Sequence, residues 1–238
     1  MDSRQRLLGM AAAQLSANRR RGISPLNGLA YDFVCPSTAH YPFQWCRDSC
    51  FHAIALSQID VGLAEIELRC LLQGQRTDGF IPHMLLWERD TYRDAIAGYN
   101  LPEPQSWTTD TIQPPLLATA LRTVWEAGRS KALLDQLLPR VRRYYDWLRQ
   151  NRDPDCDGLI SILQPDESGL DASPKYDALL GLHEPSAAGL RRAMDALFAT
   201  YRPVRGDETA MFATDAFNVE DVMVNSIFAD GRYAARFS

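Results

Sequence analysis

Apolar residues recur at three- and four-residue intervals along much of the 238-residue chain, the period of one helix face. Leu117, Ala120, Leu121, Val124 and Trp125 form one such stripe, and Leu190, Ala193, Met194, Leu197, Phe198 and Tyr201 a cleaner one. Leu63, Ile66 and Cys70 predict a further helix, with Asp60 placed to cap its first turn. Val141, Tyr144, Tyr145 and Leu148 predict another, with Pro139 near its start, where a missing N–H does no harm. A last helix is expected from about Ala216 to Phe237, and the short Leu7–Ala13 run reads as an amphipathic helix. No convincing series of alternating strands accompanies them. The pattern predicts an all-α fold.

Between the helices lie three irregular stretches, 22–47, 74–109 and 152–186, rich in Pro, Gly, Trp, Tyr and Asp. Long loops without their own periodicity in a compact domain are usually functional. Helix pairs joined by such loops suggest an α/α toroid, with helices as the wall and loops as the rim of a pocket. The structural competitor is a superhelical repeat array, but no fixed period of about 30–45 residues is visible.

The most informative stretch runs from Gln164 to Asp177 and carries four carboxylates: Asp166, Glu167, Asp171 and Asp177. It has no helical or alternating period. Gly169 permits backbone angles other residues avoid, and Pro174 keeps Ser173 out of the helical region. Crowding and burial both raise a carboxyl pKa, which is how an acid stays protonated near neutral pH. The competing structural explanation is a capping loop whose acids accept backbone N–H groups.

Other loops carry weaker signals. Phe43-Gln44-Trp45-Cys46-Arg47-Asp48 places an aromatic beside an amide and a carboxylate, the set that holds a sugar; Asp48 or Ser49 could equally cap a helix. His83 follows Pro82 in a loop, a position more often structural than catalytic. Trp107, Asp110 and Gln113 precede Pro114-Pro115, which opens a helix and leaves them near its N-terminal mouth. Asp153-Pro154-Asp155-Cys156-Asp157-Gly158 resembles the first half of a calcium loop, but the twelfth position is Gln164 where a bidentate Glu is needed. A tight Asp/Gly turn is the favoured explanation, and no metal is assigned. No Gly-rich phosphate cradle, nucleophile elbow or HExxH occurs.

Composition narrows the partners. Hydrophobic residues make up 46% and charged ones 23%, ordinary values for a soluble domain. A net charge of -5 without a basic stripe argues against nucleic acid, and Arg19-Arg20-Arg21 is expected to be a solvated helix end. Five cysteines without a CxxC pair fit reduced thiols in the cytoplasm. No segment is long enough to predict a membrane span.

Taken together, Phe43-Gln44-Trp45 to His52, Leu72-Gln73-Gly74-Gln75 to His83-Met84, Trp107-Thr108-Thr109-Asp110 to Pro115, and Asp157-Gly158 to Asp177 resemble the mannosylglycerate hydrolase-like glycoside hydrolases. These belong to the family 63 and trehalase group of six-hairpin glycosidases. The resemblance covers most of residues 20–230, in order. It implies an (α/α)6 barrel, hydrolysis with inversion, a small α-linked glucoside or mannoside as substrate, and no cofactor.

Through the Glu-Ser-Gly-x-Asp motif the resemblance places the general acid on Asp171. Glu167 and Asp177 become candidates for shaping that acid, and Trp45, Asp48, His83, Trp107 and Gln113 for the sugar subsite. Arg47 departs from the family pattern, where a second Trp often precedes the Asp. The motif expected to carry the general base has no counterpart in residues 1–238. The chain is therefore expected to be the N-terminal portion of one glycosidase domain, with about half of the barrel helices. Such a piece would be inactive alone, with an exposed barrel edge available for association. The alternative is a non-catalytic carbohydrate-binding or helical assembly protein retaining half a barrel.

Overall fold

A computed structural model describes residues 3–88, 106–184 and 186–236. Parts of the predicted 74–109 and 152–186 loops, and Phe237 at the expected end of the last helix, lie outside them. The described residues form eight α-helices and two small antiparallel sheets. The helices are α1 (Ser3–Ala17), α2 (Cys46–Leu56), α3 (Val61–Leu72), α4 (Leu117–Gly128), α5 (Lys131–Asn151), α6 (Ala187–Tyr201), α7 (Glu208–Thr214) and α8 (Val222–Ala234).

Helices α2 and α3 pack as a hairpin, and so do α4 and α5, with α8 laid against α4. Most of the apolar stripes read from the sequence meet in a single core: Cys70 of α3, Leu117, Leu121 and Val124 of α4, and Val141, Tyr144 and Leu148 of α5 are all buried. Ile66 of the α3 stripe is exposed, and the buried face of that helix runs through Leu68 and Leu71 instead. Capping fixes where the helices begin. Asp60 accepts from Leu63 N at 3.1 Å, and Ser130 accepts from Leu133 N at 3.2 Å. Each satisfies an N–H that has no intrahelical partner.

The expectation for Pro139 needs correction. It lies inside α5, which starts at Lys131. The helix passes through because Pro139 and Asp135, the residue four before it, are both exposed. The carbonyl left without a helical donor therefore faces water. The last helix starts at Val222, not Ala216, because Asp221 takes the N–H groups of Met223 and Val224 at 2.9 and 3.1 Å.

Two short sheets add to the helical architecture. β1 (Arg19–Ile23) pairs antiparallel with β2 (Ala30–Val34), Arg19 opposite Val34 and Ile23 opposite Ala30. The arginine run is thus a strand, not a helix end. Arg19 pairs with Asp32 at 2.5 Å, and Arg20 with Glu88. β2 is tied to the helices by Glu67 of α3, which accepts from Val34 N at 2.7 Å.

The second sheet organises the pocket. β3 (Gln44–Trp45) pairs with β4 (Met84–Leu85), Trp45 opposite Met84, and Leu85 in turn bridges to Thr108. Backbone bonds from Cys46 N to His83 O, His83 N to Thr111 O and Leu86 N to Trp107 O, each 2.8 Å, extend the pairing. Three loops far apart in sequence become adjacent strands.

Candidate active site

A cavity of about 310 Å³ opens where these strands meet the acidic loop, within the size range of small-molecule sites. Trp45, Arg47, Asp48, His83, Gln113, Asp166 and Asp171 are among the side chains that line it, beside Tyr41. The sugar-binding candidates Trp45, Asp48, His83 and Gln113 are thereby brought together with Asp171.

Three predicted site residues sit elsewhere. Trp107 is absent from the lining and packs on Trp87, ring centroids 5.2 Å apart. Its contribution near the cavity is the carbonyl that Leu86 uses. Asp177 also lies off the lining, in the turn after Pro174–Tyr176. Glu167 is fully buried. Its two oxygens accept from Arg152 at 2.7 and 2.8 Å, from Leu163 N at 2.7 Å and from Ile112 N at 3.1 Å. With four donors occupied it has no capacity left for a sugar hydroxyl, and its role is to fix the loop.

That loop is anchored along its length. Arg152, itself buried, bridges Glu167 and Glu208, the latter at 2.8 Å. Ser168 Oγ donates to Pro165 O at 2.7 Å and accepts from Leu170 N at 3.0 Å. Beyond Asp171, Lys175 and Tyr176 donate to the Asp221 cap of α8 at 2.5 and 2.8 Å. Asp171 stands in the turn between these anchors, where Ser173 N reaches back to Leu170 O at 2.9 Å.

Arg47 was the residue that departed from the expected pattern, and it has a definite part in the geometry. Its guanidinium donates to the carbonyls of Ser168 and Gly169 at 3.2 and 3.1 Å. Its own N–H donates to Gln113 Oε1 at 2.9 Å. Gly169 has φ +64° and lies directly under the guanidinium, so a Cβ there would collide with Arg47. Glycine is required twice over, for the left-handed backbone and for the close approach.

Electrostatics separate the titratable groups. Burial pushes the Asp171 carboxyl above its ordinary range, opposed by its own backbone N–H and by Arg47. Burial also pushes Asp166 up to about 7, with the Asp171 and Glu167 charges adding to the effect. Two carboxyls with raised pKa values face one cavity, the condition under which one of them carries a proton near neutral pH. His83 goes the other way. Burial, with Arg205 adding, lowers it to about 3, so the imidazole is neutral. Its Nδ1 lies 2.6 Å from the hydroxyls of both Thr109 and Thr111, and its ring meets Trp45 edge-on at 5.3 Å. A neutral, hydrogen-bonded ring against the indole is a support for Trp45, not a proton carrier.

Sequence reasoning singled out neither Asp166 nor Tyr41. Asp166 was one of four acids in the loop, and nothing in the spacing distinguished it from Glu167. The 3-10 turn Pro165–Ser168 sends adjacent side chains in different directions, Glu167 to Arg152 and Asp166 to the cavity.

Comparison with known proteins gives the family and the architecture. The family model for the mannosylglycerate hydrolase MGH1-like glycoside hydrolase domain matches residues 41–235, and the chain belongs to that family. A mannosylglycerate hydrolase of Thermus thermophilus is 36% identical over 154 residues, 61% of this chain and 37% of that protein. A glucosylglycerate hydrolase of Mycolicibacterium hassiacum is 28% identical over 232 residues, covering 79% and 50%. The crystal structure of the family 63 mannosylglycerate hydrolase of Thermus thermophilus with Tris and D-glycerate superposes with a TM-score of 0.82 at 28% identity. That match covers 96% of this chain and 58% of the other, so the helices are those of part of a six-hairpin toroid. The chain spans about a third to a half of the length of the curated relatives it matches.

Proposed function

We propose that this chain is part of an inverting glycoside hydrolase acting on a small α-linked glycosyl-glycerate, a mannoside or glucoside, with Asp171 as general acid. The observation that carries the reading is the shared cavity, in which a raised-pKa carboxyl on an anchored loop faces an indole, an amide and a second carboxylate. Trp45 stacks on the apolar face of the sugar, and Asp48 and Gln113 take its hydroxyls. Arg47 and Gly169 hold the acid at a fixed height over that face. The relatives named above act on mannosylglycerate and glucosylglycerate, which is the ground for choosing that substrate class.

In an inverting reaction the acid protonates the departing oxygen while a base on the opposite face activates water. Asp171, held up by burial, supplies the proton. The resemblance puts the base in the other half of the barrel, so residues 1–238 alone are expected to bind substrate and turn over little of it. Five free thiols, four of them buried, are the ground for placing the protein in a reducing compartment, the cytoplasm. Among the described residues no helix is long and apolar enough to cross a membrane.

The test is calorimetric titration of purified 1–238 with mannosylglycerate and glucosylglycerate, paired with a glycerate-release assay. Saturable binding with little release is the expected result. Binding should weaken at least tenfold in Trp45→Ala and stay within about threefold in Asp171→Asn. No binding of either compound at millimolar concentration would overturn the substrate assignment. Rapid release abolished by Asp171→Asn would keep the acid and overturn the expectation of a missing base.

A further inference from the structure

Glu67 of α3 is a buried carboxyl that does not line the sugar cavity; only 1% of its surface is exposed. A buried acid is costly unless its oxygens are met, and three segments converge on this one. Its Oε2 accepts from Val34 N of β2 at 2.7 Å. The side chains of Ser49 of α2 and Gln44 of β3 also approach the carboxyl and act on its titration as donors. Its Oε1 is left without a fully formed hydrogen bond. Gln44 and Ser49 are joined to each other, Gln44 Nε2 donating to Ser49 Oγ at 3.2 Å. Gln44 Oε1 in turn accepts from Trp87 Nε1 at 2.8 Å.

Each of these contacts lies beside a wall of the cavity. Neighbouring side chains of a strand point to opposite sides. Gln44 therefore turns inward to Ser49 and Trp87, while Trp45 lines the cavity. In the first turn of α2, Ser49 is fully buried and Asp48, the residue before it, lines the cavity. Val34 ends β2 two residues before Pro36, which lines it as well. The chain between β2 and α2 thus meets the acid three times and the cavity three times.

On the reading of that cavity as a glycoside site, we propose that Glu67 is a positioning residue for the sugar subsite, holding from behind the stretches that present Pro36, Trp45 and Asp48. Its effect passes through Val34, Gln44 and Ser49. Burial pushes the carboxyl up to about 8, with the Asp32 charge of β2 adding and the three donors opposing. The groups around it supply no free countercharge. Arg19 of β1 is paired with Asp32 at 2.5 Å, and burial pushes the Cys35, Cys50 and Cys70 thiols up, so they stay neutral. Near neutral pH Glu67 is therefore protonated and holds its partners as a neutral group. Above about pH 8 it becomes a charge whose Oε1 lacks a donor, and the surrounding core must shift to meet it.

The test pairs amide hydrogen exchange, which needs no ligand, with calorimetric titration by mannosylglycerate and glucosylglycerate. In purified 1–238, Glu67→Met should speed exchange at least tenfold at Val34 and across residues 44–49, and leave α4 and α5 within about twofold. Equal acceleration in every helix would make Glu67 an ordinary core residue and overturn the proposal; so would none. Glu67→Gln keeps a neutral hydrogen-bonding group and is the variant to use if the Met chain does not fold. The ratio of Val34 exchange in the wild type to that in Glu67→Gln should rise at least threefold from pH 7 to 9. A ratio constant with pH would overturn the proposal. In the titration at pH 7, Glu67→Met should weaken glycoside binding at least tenfold and Glu67→Gln at most about threefold. From pH 7 to 9 the wild type should lose at least threefold more affinity than Glu67→Gln; Asp166, near 7 in the cavity, titrates in both and drops out of the comparison. Unchanged affinity in Glu67→Met would overturn the proposal. Failure of the wild type to bind either glycoside would instead remove the substrate assignment, and the exchange measurements would still decide the role of Glu67.

Discussion

Two acidic loops lie only a few residues apart in this chain, and their carboxylates meet opposite fates. In residues 164–177 the fold supplies counter-groups. Glu167 is saturated by Arg152 and two backbone N–H groups, and Arg47 stands over Gly169 near Asp171. In residues 153–158 the fold supplies backbone N–H groups to some oxygens, and among the described residues no cationic side chain ion-pairs with the three aspartates. The first loop is built so that one acid can be left over for chemistry while its neighbour is consumed by structure. The second is built as a set of acids that share a deficit of positive charge. Carboxylate density by itself therefore predicts neither outcome; the donors brought from other elements decide it.

The comparison can be broken most severely at Glu167. Replacing it by Gln leaves Arg152 buried with Glu208 as its remaining partner. Removing one member of a buried pair costs about 3–5 kcal/mol. The Glu208 contact should keep the loss near the lower end, read as a lower urea midpoint at unchanged slope. A loss under about 0.5 kcal/mol, the scale of ordinary surface changes, would show that the ion pair does not hold the loop.

An effect smaller than that at Glu167 is expected at Gly169. Ala there must adopt a left-handed backbone, at about 1–2 kcal/mol, and must displace Arg47. Glycoside affinity should fall more than stability does, because Arg47 also positions Gln113. Equal losses in both would reduce Gly169 to a turn residue.

A pH-dependent effect sharpens the distinction between neighbours. Asp166 titrates near 7 in the folded chain and in the ordinary carboxylate range when unfolded. The folded state therefore holds the extra proton between those values. The contribution is full below about pH 4 and is lost as pH rises towards 7. Asp166→Asn should flatten stability across that window, measured by urea denaturation at a series of pH values. An unchanged pH profile would place the raised titration on another group.

Much of this was legible without coordinates. The helical stripes, the Asp60 cap and the loop motifs in order sufficed for the fold class and pointed to the loop that carries Asp171, because helix periodicity and turn chemistry are local. The failures share one cause. β1 reads Arg-Arg-Arg-Gly-Ile and has no alternating apolar pattern of its own; its pairing depends on Asp32 and Glu88. Trp107 looked like a sugar platform, yet its ring was claimed by Trp87. Pro139 looked like a helix start because a sequence does not say which face of a helix meets water.

The sequence by itself determined that residues 164–177 form a constrained acidic loop set among aromatic loops on a helical frame. The tertiary structure decided which acid faces the cavity. Glu167 and Asp166 are adjacent, chemically alike and indistinguishable by spacing. What separates them is the position of Arg152, Arg47 and the Ile112 and Leu163 N–H groups, most of which reach the loop from other elements. Side-chain charge is a property of the chain. Whether that charge is paired, buried or left available is a property of the fold.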